Sequence, residues 1–460
     1  MSNAVTITMH AWPLVVLLMF MAMRPQRAVI VAFIAAWLFL PVASFEFPFF
    51  PDLSKMTATS GSVMLGAVVF DARRLFSFRT HWLDLPMLLW CLCPIASSMS
   101  NDLGIYDGVS ASLTNVTIWG LPYLIGRIYL NDAHALRELA MGIFIGGLVY
   151  VPLCQYEMRM SPQLHRIIYG FHQHVFYQHM RLGGYRPIVF MQHGIMVATW
   201  MASASLAGAW LWATGVLKRM RFPAGPWLVL ALLATTLLCK SIGAIVLLLV
   251  GLISLLFIKR YRTRVPILCL ILVAPIYVVV RATGLWTGSQ SVSTARFLTT
   301  EAAAESLAYR IHNEDRLSAR ALERPVFGWG GWGRSRVRDA LERDLVTTDG
   351  LWIIILGKNG FVGLALLLAA ILLPPILFAS RIPVQNWCTN DLAAGAILTL
   401  MLCLWMIDCL PNAMVNPIYL LAGGGLHSLV AGAAHQLQSS AGNRSRPHTR
   451  PRRPAPLVQR

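Results

Sequence analysis

The sequence predicts an all-α polytopic membrane protein, and three observations carry that prediction. Of 460 residues, 57% are apolar and only 13% charged, and the mean hydropathy is +0.61; a soluble globular chain of this length is less apolar. The apolar residues fall in runs close to the roughly 20 that a helix needs to cross a bilayer. The basic residues fall in short blocks between those runs, the pattern of connectors retained on the cytoplasmic side. The net charge of +18 therefore speaks for membrane orientation and not for a nucleic-acid partner.

The apolar runs lie near 7–23, 28–44, 57–70, 82–99, 113–130, 139–156, 190–217, 226–239, 242–258, 265–280, 350–379, 392–410 and 417–434. Two of them, 57–70 and 226–239, are short enough to be half-helices, so the expectation is about 12–13 transmembrane helices in a membrane domain over 1–435. The first run lacks a basic flank and a small-residue cleavage site, which predicts a retained helix and not a signal peptide. Arg24 and Arg27, then Arg73, Arg74 and Arg79, then Lys218, Arg219 and Arg221, then Lys259, Arg260, Arg262 and Arg264 mark the cytoplasmic connectors. The outer connectors are then 45–56, 101–112, 157–189 and, by far the longest, a periplasmic loop over 281–349. Residues 436–460, rich in arginine, proline and serine and without acidic residues, read as a disordered basic cytoplasmic tail near anionic lipid.

Two outer loops break the charge pattern. Residues 157–189 hold Arg159, Arg166, Arg181 and Arg186, and 281–349 holds more arginines still. Long loops translocate regardless of charge, so the orientation survives. A solvated surface would explain such arginines, and so would an anionic ligand. Within 281–349, Ala304, Leu307, Ala308, Ile311, Ser318, Ala321 and Leu322 recur at helical spacing with Arg316, Arg320 and Arg324 on another side, which predicts an amphipathic helix on the membrane surface, ending at Arg324-Pro325. Gly328-Trp329-Gly330-Gly331-Trp332-Gly333 follows, a turn-forming run whose tryptophans suit the headgroup level.

Metal and nucleotide chemistry find little footing. No Gly-Lys-Ser/Thr follows the glycine run, so it is no P-loop. The eight cysteines form no CxxC pair, and neither a zinc site nor a disulfide framework is indicated. His165, His172, His174 and His179 are spaced so that no set shares one helical face. Glu46 and Asp52 are too far apart to read as a paired Mg²⁺ site. No cofactor and no metal are expected. Asp349, just ahead of the apolar run from Leu351, sits at the outer mouth of a helix, where capping alone would account for it.

Several pieces occur in an order that resembles a known family. They are Arg181-Leu-Gly-Gly-Tyr-Arg186-Pro187 before an apolar helix, Lys240-Ser241-Ile242-Gly243-Ala244, Tyr309-Arg310 upstream of Pro325-Val326-Phe327-Gly328-Trp329-Gly330, and Asp349-Gly350 followed after nine residues by Gly360-Phe361-Val362-Gly363. In that order they resemble the O-antigen ligase and polysaccharide polymerase superfamily of bacterial envelope proteins, over about residues 180–380. Ligases of that superfamily carry histidine where this chain has Asp349, and Asn or Ser where it has Gly350; aspartate there is more like the exopolysaccharide and repeat-unit polymerases. The resemblance implies a glycosyltransferase-C-like fold in the bacterial inner membrane. It also implies metal-independent transfer of a glycan from an undecaprenyl-diphosphate-linked oligosaccharide donor to an acceptor sugar hydroxyl. Arg310 and Asp349 would be catalytic, and Arg181, Arg186, Gly328, Gly330, Gly350, Gly360 and Gly363 would bind substrate. Arg186 and Arg310 could meet a diphosphate with planar, bidentate contacts, with Arg181 as the alternative to Arg186. Asp349 would be the general base; an ordinary aspartate, at about 3.9, is ionised at neutral pH and is an available but weak base. A chain-length regulator or a flippase would be a protein partner. A transporter of an anionic lipid-linked substrate is the reading from another class. It would be favoured by charges buried mid-helix, for which Lys240 and Asp408 are the sequence's few candidates. A structural membrane subunit is a third; it expects Asp349 and Arg310 to be replaceable without loss.

Overall fold

A computed structural model describes residues 2–444 except 48–49, 182, 220–224, 299–300, 340 and 342. Almost all regular structure is helical, with two short hairpins, Ser44–Phe47 with Phe50–Ser54 and Met180–Arg181 with Gly184–Tyr185. Among the described residues seven helices are long and apolar enough to cross a membrane: Asn3–Ala22, Trp82–Met99, Ala133–Met160, Gly194–Ala213, Ile242–Tyr261, Val265–Ala282 and Leu351–Arg381. Pro25–Phe39, Gly225–Leu238 and Ala393–Asp408 are shorter apolar helices. This is the architecture expected of a polytopic membrane protein, since in hydrocarbon only a helix or a closed barrel pairs all of its own backbone groups.

The remaining predicted runs differ in detail. Residues 57–70 form part of one unbroken helix, Lys55–Phe70, capped by Ser54, whose hydroxyl accepts from Thr57 N. The 113–130 run is not a single α-helix: Gly104–Asn115 passes through a π turn at Val116–Gly120 into Leu121–Tyr129. The last helix, Pro417–Arg444, runs on through 436–444, and the tail over 445–460, like Arg221, lies outside the described residues.

Basic side chains from the arginine-rich connectors tie one end of the bundle together. Arg27 pairs with Glu138 at 2.8 Å, Arg74 donates to Ile128 O at 3.2 Å, Lys259 to Ala213 O at 3.0 Å and Arg264 to Ala379 O at 3.0 Å. Cations on carbonyls at helix C-termini complement the helix dipole. Elsewhere Lys55, just after the first hairpin, donates to Phe190 O, Arg186 to Lys240 O and Arg310 to Asn412 Oδ1, which ties together segments far apart in sequence.

The helix of the long 281–349 segment packs its apolar face against protein. The predicted helix is present, Glu301–Leu322, but Ala304, Ile311, Leu317 and Ala321 are buried in protein. Glu314 on the same face accepts from Arg281 Nε at 3.2 Å, Tyr277 Oη at 2.8 Å and Trp352 Nε1 at 3.3 Å. A buried pair with its remaining hydrogen-bonding capacity filled fixes a register even where its net contribution to stability is small. The tryptophans of the glycine run divide: Trp329 lies under the Arg320 guanidinium, 3.6 Å from its ring centre, and donates to Arg320 O at 2.8 Å, whereas Trp332 is exposed.

The Leu351–Arg381 helix is broken at Gly360, where φ is +66° and ψ −168°. The segment after Pro325 repairs the break. Trp329 N donates to Gly357 O at 2.9 Å and Gly330 N to Lys358 O at 3.0 Å, while Phe361 N and Val362 N donate to Pro325 O and Val326 O at 2.7 and 3.2 Å. Asn101 Nδ2 holds Gly328 O at 2.8 Å, and Asn359 Nδ2 holds Ser97 Oγ at 3.0 Å. Backbone groups freed inside an apolar helix are thus paired by a second segment of protein.

Candidate functional site

The site grows from the segment 180–193. A tight hairpin, with Gly183 at φ +67°, leaves Arg181 exposed at its edge and turns the chain so that Arg186 N donates to His179 O at 2.8 Å. Arg186 is 6% exposed; its Nη2 donates to Lys240 O at 2.8 Å, while its Nε has no partner. A buried guanidinium with an unused donor is costly. Burial first, then the charges of Arg181 and Arg310, pull Arg186 down to about 10, which still leaves it cationic at neutral pH. The position of Arg186 is set from below by Glu157, a fully buried carboxylate whose Oε2 accepts from Ile188 N and Val189 N, both at 2.7 Å, and whose Oε1 accepts from Leu164 N at 2.9 Å. Val189 needs that hold because it sits at φ +51°, a costly region for a β-branched residue.

Glu157→Gln removes one or two of these three acceptor contacts. It is expected to cost about 1–3 kcal/mol, the penalty for a buried donor left unpaired, with thermal unfolding of the purified protein as the measurement. An unchanged midpoint would show that the carboxylate does not hold the turn.

Across from this segment stands the 301–322 helix. Arg310 Nε lies 3.9 Å from Asp349 Oδ2, and its Nη1 donates to Asn412 Oδ1 at 3.3 Å. Asn412 Nδ2 in turn donates to Asp408 Oδ1 at 3.2 Å, and Thr199 Oγ1 to Asp408 Oδ2 at 3.3 Å. The polar chain Asp349, Arg310, Asn412, Asp408, Thr199 therefore runs from a half-exposed carboxylate to a buried one. Asp349 does not cap its helix: the N-cap is Gly350, without a side-chain bond. The capping explanation for the aspartate falls away, and its carboxylate faces Arg310.

Arg181, Arg186, Arg310 and Asp349, distant in sequence, are thus brought to one end of the bundle. The five glycines are closely packed. A Cβ on Gly360 would overlap the Val326 carbonyl, one on Gly328 would stand 2.6 Å from the amide nitrogens of Asn359 and Gly360, one on Gly350 would overlap Leu410 O, and one on Gly363 would overlap the Asn359 side chain. Gly330, at φ +61°, passes 3.0 Å from Ser97 O by the same measure. Gly328, Gly330, Gly350 and Gly360 let a second stretch of backbone approach closely, and Gly363 leaves room for the Asn359 side chain.

Sequence reasoning did not single out Glu157, Asn412 or Lys55, nor the partial burial of Lys358 inside the 351–381 helix. Lys55 is buried, donates to Phe190 O at 2.8 Å and lies 5.6 Å from the Trp37 ring centre. It borders a cavity of about 320 Å³ lined mainly by Trp37, Val42, Met56, Met191, Met196 and Val415. A lysine within an apolar run is readable from sequence as a functional flag; the contacts of Glu157 and Asn412 are made only by the fold. No protein-family model matches the chain, and no curated protein does.

Proposed function

We propose that this protein is a glycosyltransferase at the outer face of a bacterial inner membrane. It moves a glycan from undecaprenyl diphosphate to an acceptor sugar hydroxyl without a metal, and polymerises exopolysaccharide or O-antigen repeat units. Transfer to lipid A core or another acceptor is the same chemistry with a different second substrate. The observation that carries the reading is the Arg310–Asp349 pair, 3.9 Å apart, with Arg310 and Arg181 both close enough to Arg186 for their charges to act on it.

In the reaction, Asp349 takes the proton of the acceptor hydroxyl as its oxygen bonds to the anomeric carbon. The bond from that carbon to the diphosphate oxygen breaks, and its electron pair leaves with the lipid diphosphate. Negative charge grows on that leaving group, and fixed guanidinium groups in a partly dehydrated site are the side chains suited to receive it. The neighbouring apolar cavity would accept the first isoprenoid units of the carrier. Transport of an anionic lipid is the second reading, favoured by Lys358 within a helix and by the buried Asp408.

A deletion strain complemented with wild type or Arg310→Ala, at equal membrane levels, tests the proposal. Loss of long polymer with accumulation of single lipid-linked repeats is the expected result. Accumulation of full-length lipid-linked polymer would identify a ligase instead. Unchanged glycan in this variant and in Asp349→Asn would sink the transfer reading and leave transport or a structural role.

A further inference from the structure

Beside Arg186 lies a cluster of three histidines that the transfer chemistry does not use. The ring centres of His174, His179 and His193 are 5.3, 4.7 and 5.6 Å apart. His179 is fully buried, yet neither of its ring nitrogens has a partner; His174 Nδ1 is also buried and unpartnered, as is Arg186 Nε. Four polar atoms thus stand without partners in one corner of the molecule, where each is costly unless something binds there.

The chemistry of the corner selects the ligand. His193 Nδ1 accepts from Ile195 N at 3.1 Å, so that nitrogen carries the lone pair and the ring proton is on Nε2. In that state His193 offers an N–H and has no lone pair left for a metal. Arg186 and Arg181 add positive charge that would repel a cation, and no group of three His, Cys, Asp or Glu among the described residues has a metal-binding arrangement. Burial, reinforced by the neighbouring histidines and by Arg186 and Arg181, holds His179 down to about 4 and His193 to about 3. At neutral pH both are therefore uncharged N–H donors that need no proton uptake.

We infer that His174, His179 and His193 together with Arg186 form a phosphate-type anion pocket, in which imidazole N–H groups and the free Arg186 Nε donate to the oxygens of a diphosphate. In the transfer reading, on which the identity of this ligand rests, the pocket would hold the lipid carrier's diphosphate and its product. Free inorganic diphosphate presents the same oxygens.

The test is calorimetric titration of inorganic diphosphate into the full-length protein in nanodiscs, repeated with undecaprenyl diphosphate in the bilayer. Wild type is expected to bind. His179→Phe is expected to weaken binding on the order of 10–100-fold, the effect of losing a hydrogen bond to a charged group. His179→Gln, which keeps an N–H, should restore most of it. His174→Phe, on a partly exposed ring, carries the test if His179→Phe elutes as aggregate. Displacement of inorganic diphosphate by the lipid identifies the carrier as the ligand; undiminished binding identifies the free anion. No binding to wild type, wild-type affinity in both phenylalanine variants, or one Zn²⁺ held per chain and lost in His179→Phe would each overturn the pocket. Because binding is read without turnover, a pocket that binds while Asp349→Asn keeps full glycan output leaves the pocket standing and removes the transfer reading. The converse pattern removes only the pocket.

Discussion

Asp349→Asn is expected to lower glycan transfer by about 10²–10⁴-fold, the range for removing a positioned general base, while the protein reaches the membrane at wild-type level. Both halves of that expectation come from the site. The Asp349 side chain is 39% exposed and its partner Arg310 31%, and an exposed pair contributes only about 0–1 kcal/mol to stability. The aspartate caps nothing, so asparagine has little to disturb, yet it cannot accept the hydroxyl proton. A second carboxylate stands at the buried end of the same polar chain, and Asp408→Asn separates the two candidates. Asparagine there preserves contacts to Thr199 and Asn412, and a loss under about tenfold is expected if Asp408 only orients Arg310 through Asn412. Turnover of purified lipid-linked repeats by both variants is the measurement. A large loss in Asp408→Asn with near-normal Asp349→Asn would transfer the base role to the buried carboxylate.

Gly360→Val is expected to remove most folded protein. The residue is at φ +66°, which costs a residue with a Cβ about 1–2 kcal/mol before any contact is considered. Here the Cβ also meets the Val326 carbonyl and stands 2.7 Å from Gly328 N. Backbone cannot swing aside as a side chain can, so relief requires undocking the 325–330 segment and with it four backbone hydrogen bonds. The combined loss should exceed about 4 kcal/mol, in the exceptional tail for point substitutions. Detergent-solubilised yield of monodisperse protein would report it. Gly61→Val, at a position where a Cβ meets nothing within 4 Å, is the control; equal yields of the two would show that the break at Gly360 does not depend on glycine.

The helical class and most spans are legible because membrane crossings are written in composition and run length. The 301–322 helix was legible for its periodicity, but its apolar face was assigned to lipid. Nothing local to residues 301–322 reveals that Arg281 waits across the bundle for Glu314. Periodicity tells which face is covered and leaves open by what. At the site, the outer arginines and Asp349 could be noticed as residues out of keeping with their surroundings. The glycines stand out in the sequence as well, and in the fold four of the five let two backbones touch while Gly363 makes room for the Asn359 side chain. Glu157 was passed over because a carboxylate near a helix end looks like ordinary polar surface. Its role exists only once Ile188 and Val189 fold back over it.

The repaired break at Gly360 also bears on how the chain is made. Residues 325–330 leave the ribosome before the helix that they complete. Until that segment docks on the later helix, the Gly357 and Lys358 carbonyls have no intrahelical partners. The docking of 325–330 can therefore follow only once the Leu351–Arg381 segment has been made. An insertase or quality-control protease acting during that interval would meet Asn359 and Lys358 in a form never presented by the mature protein.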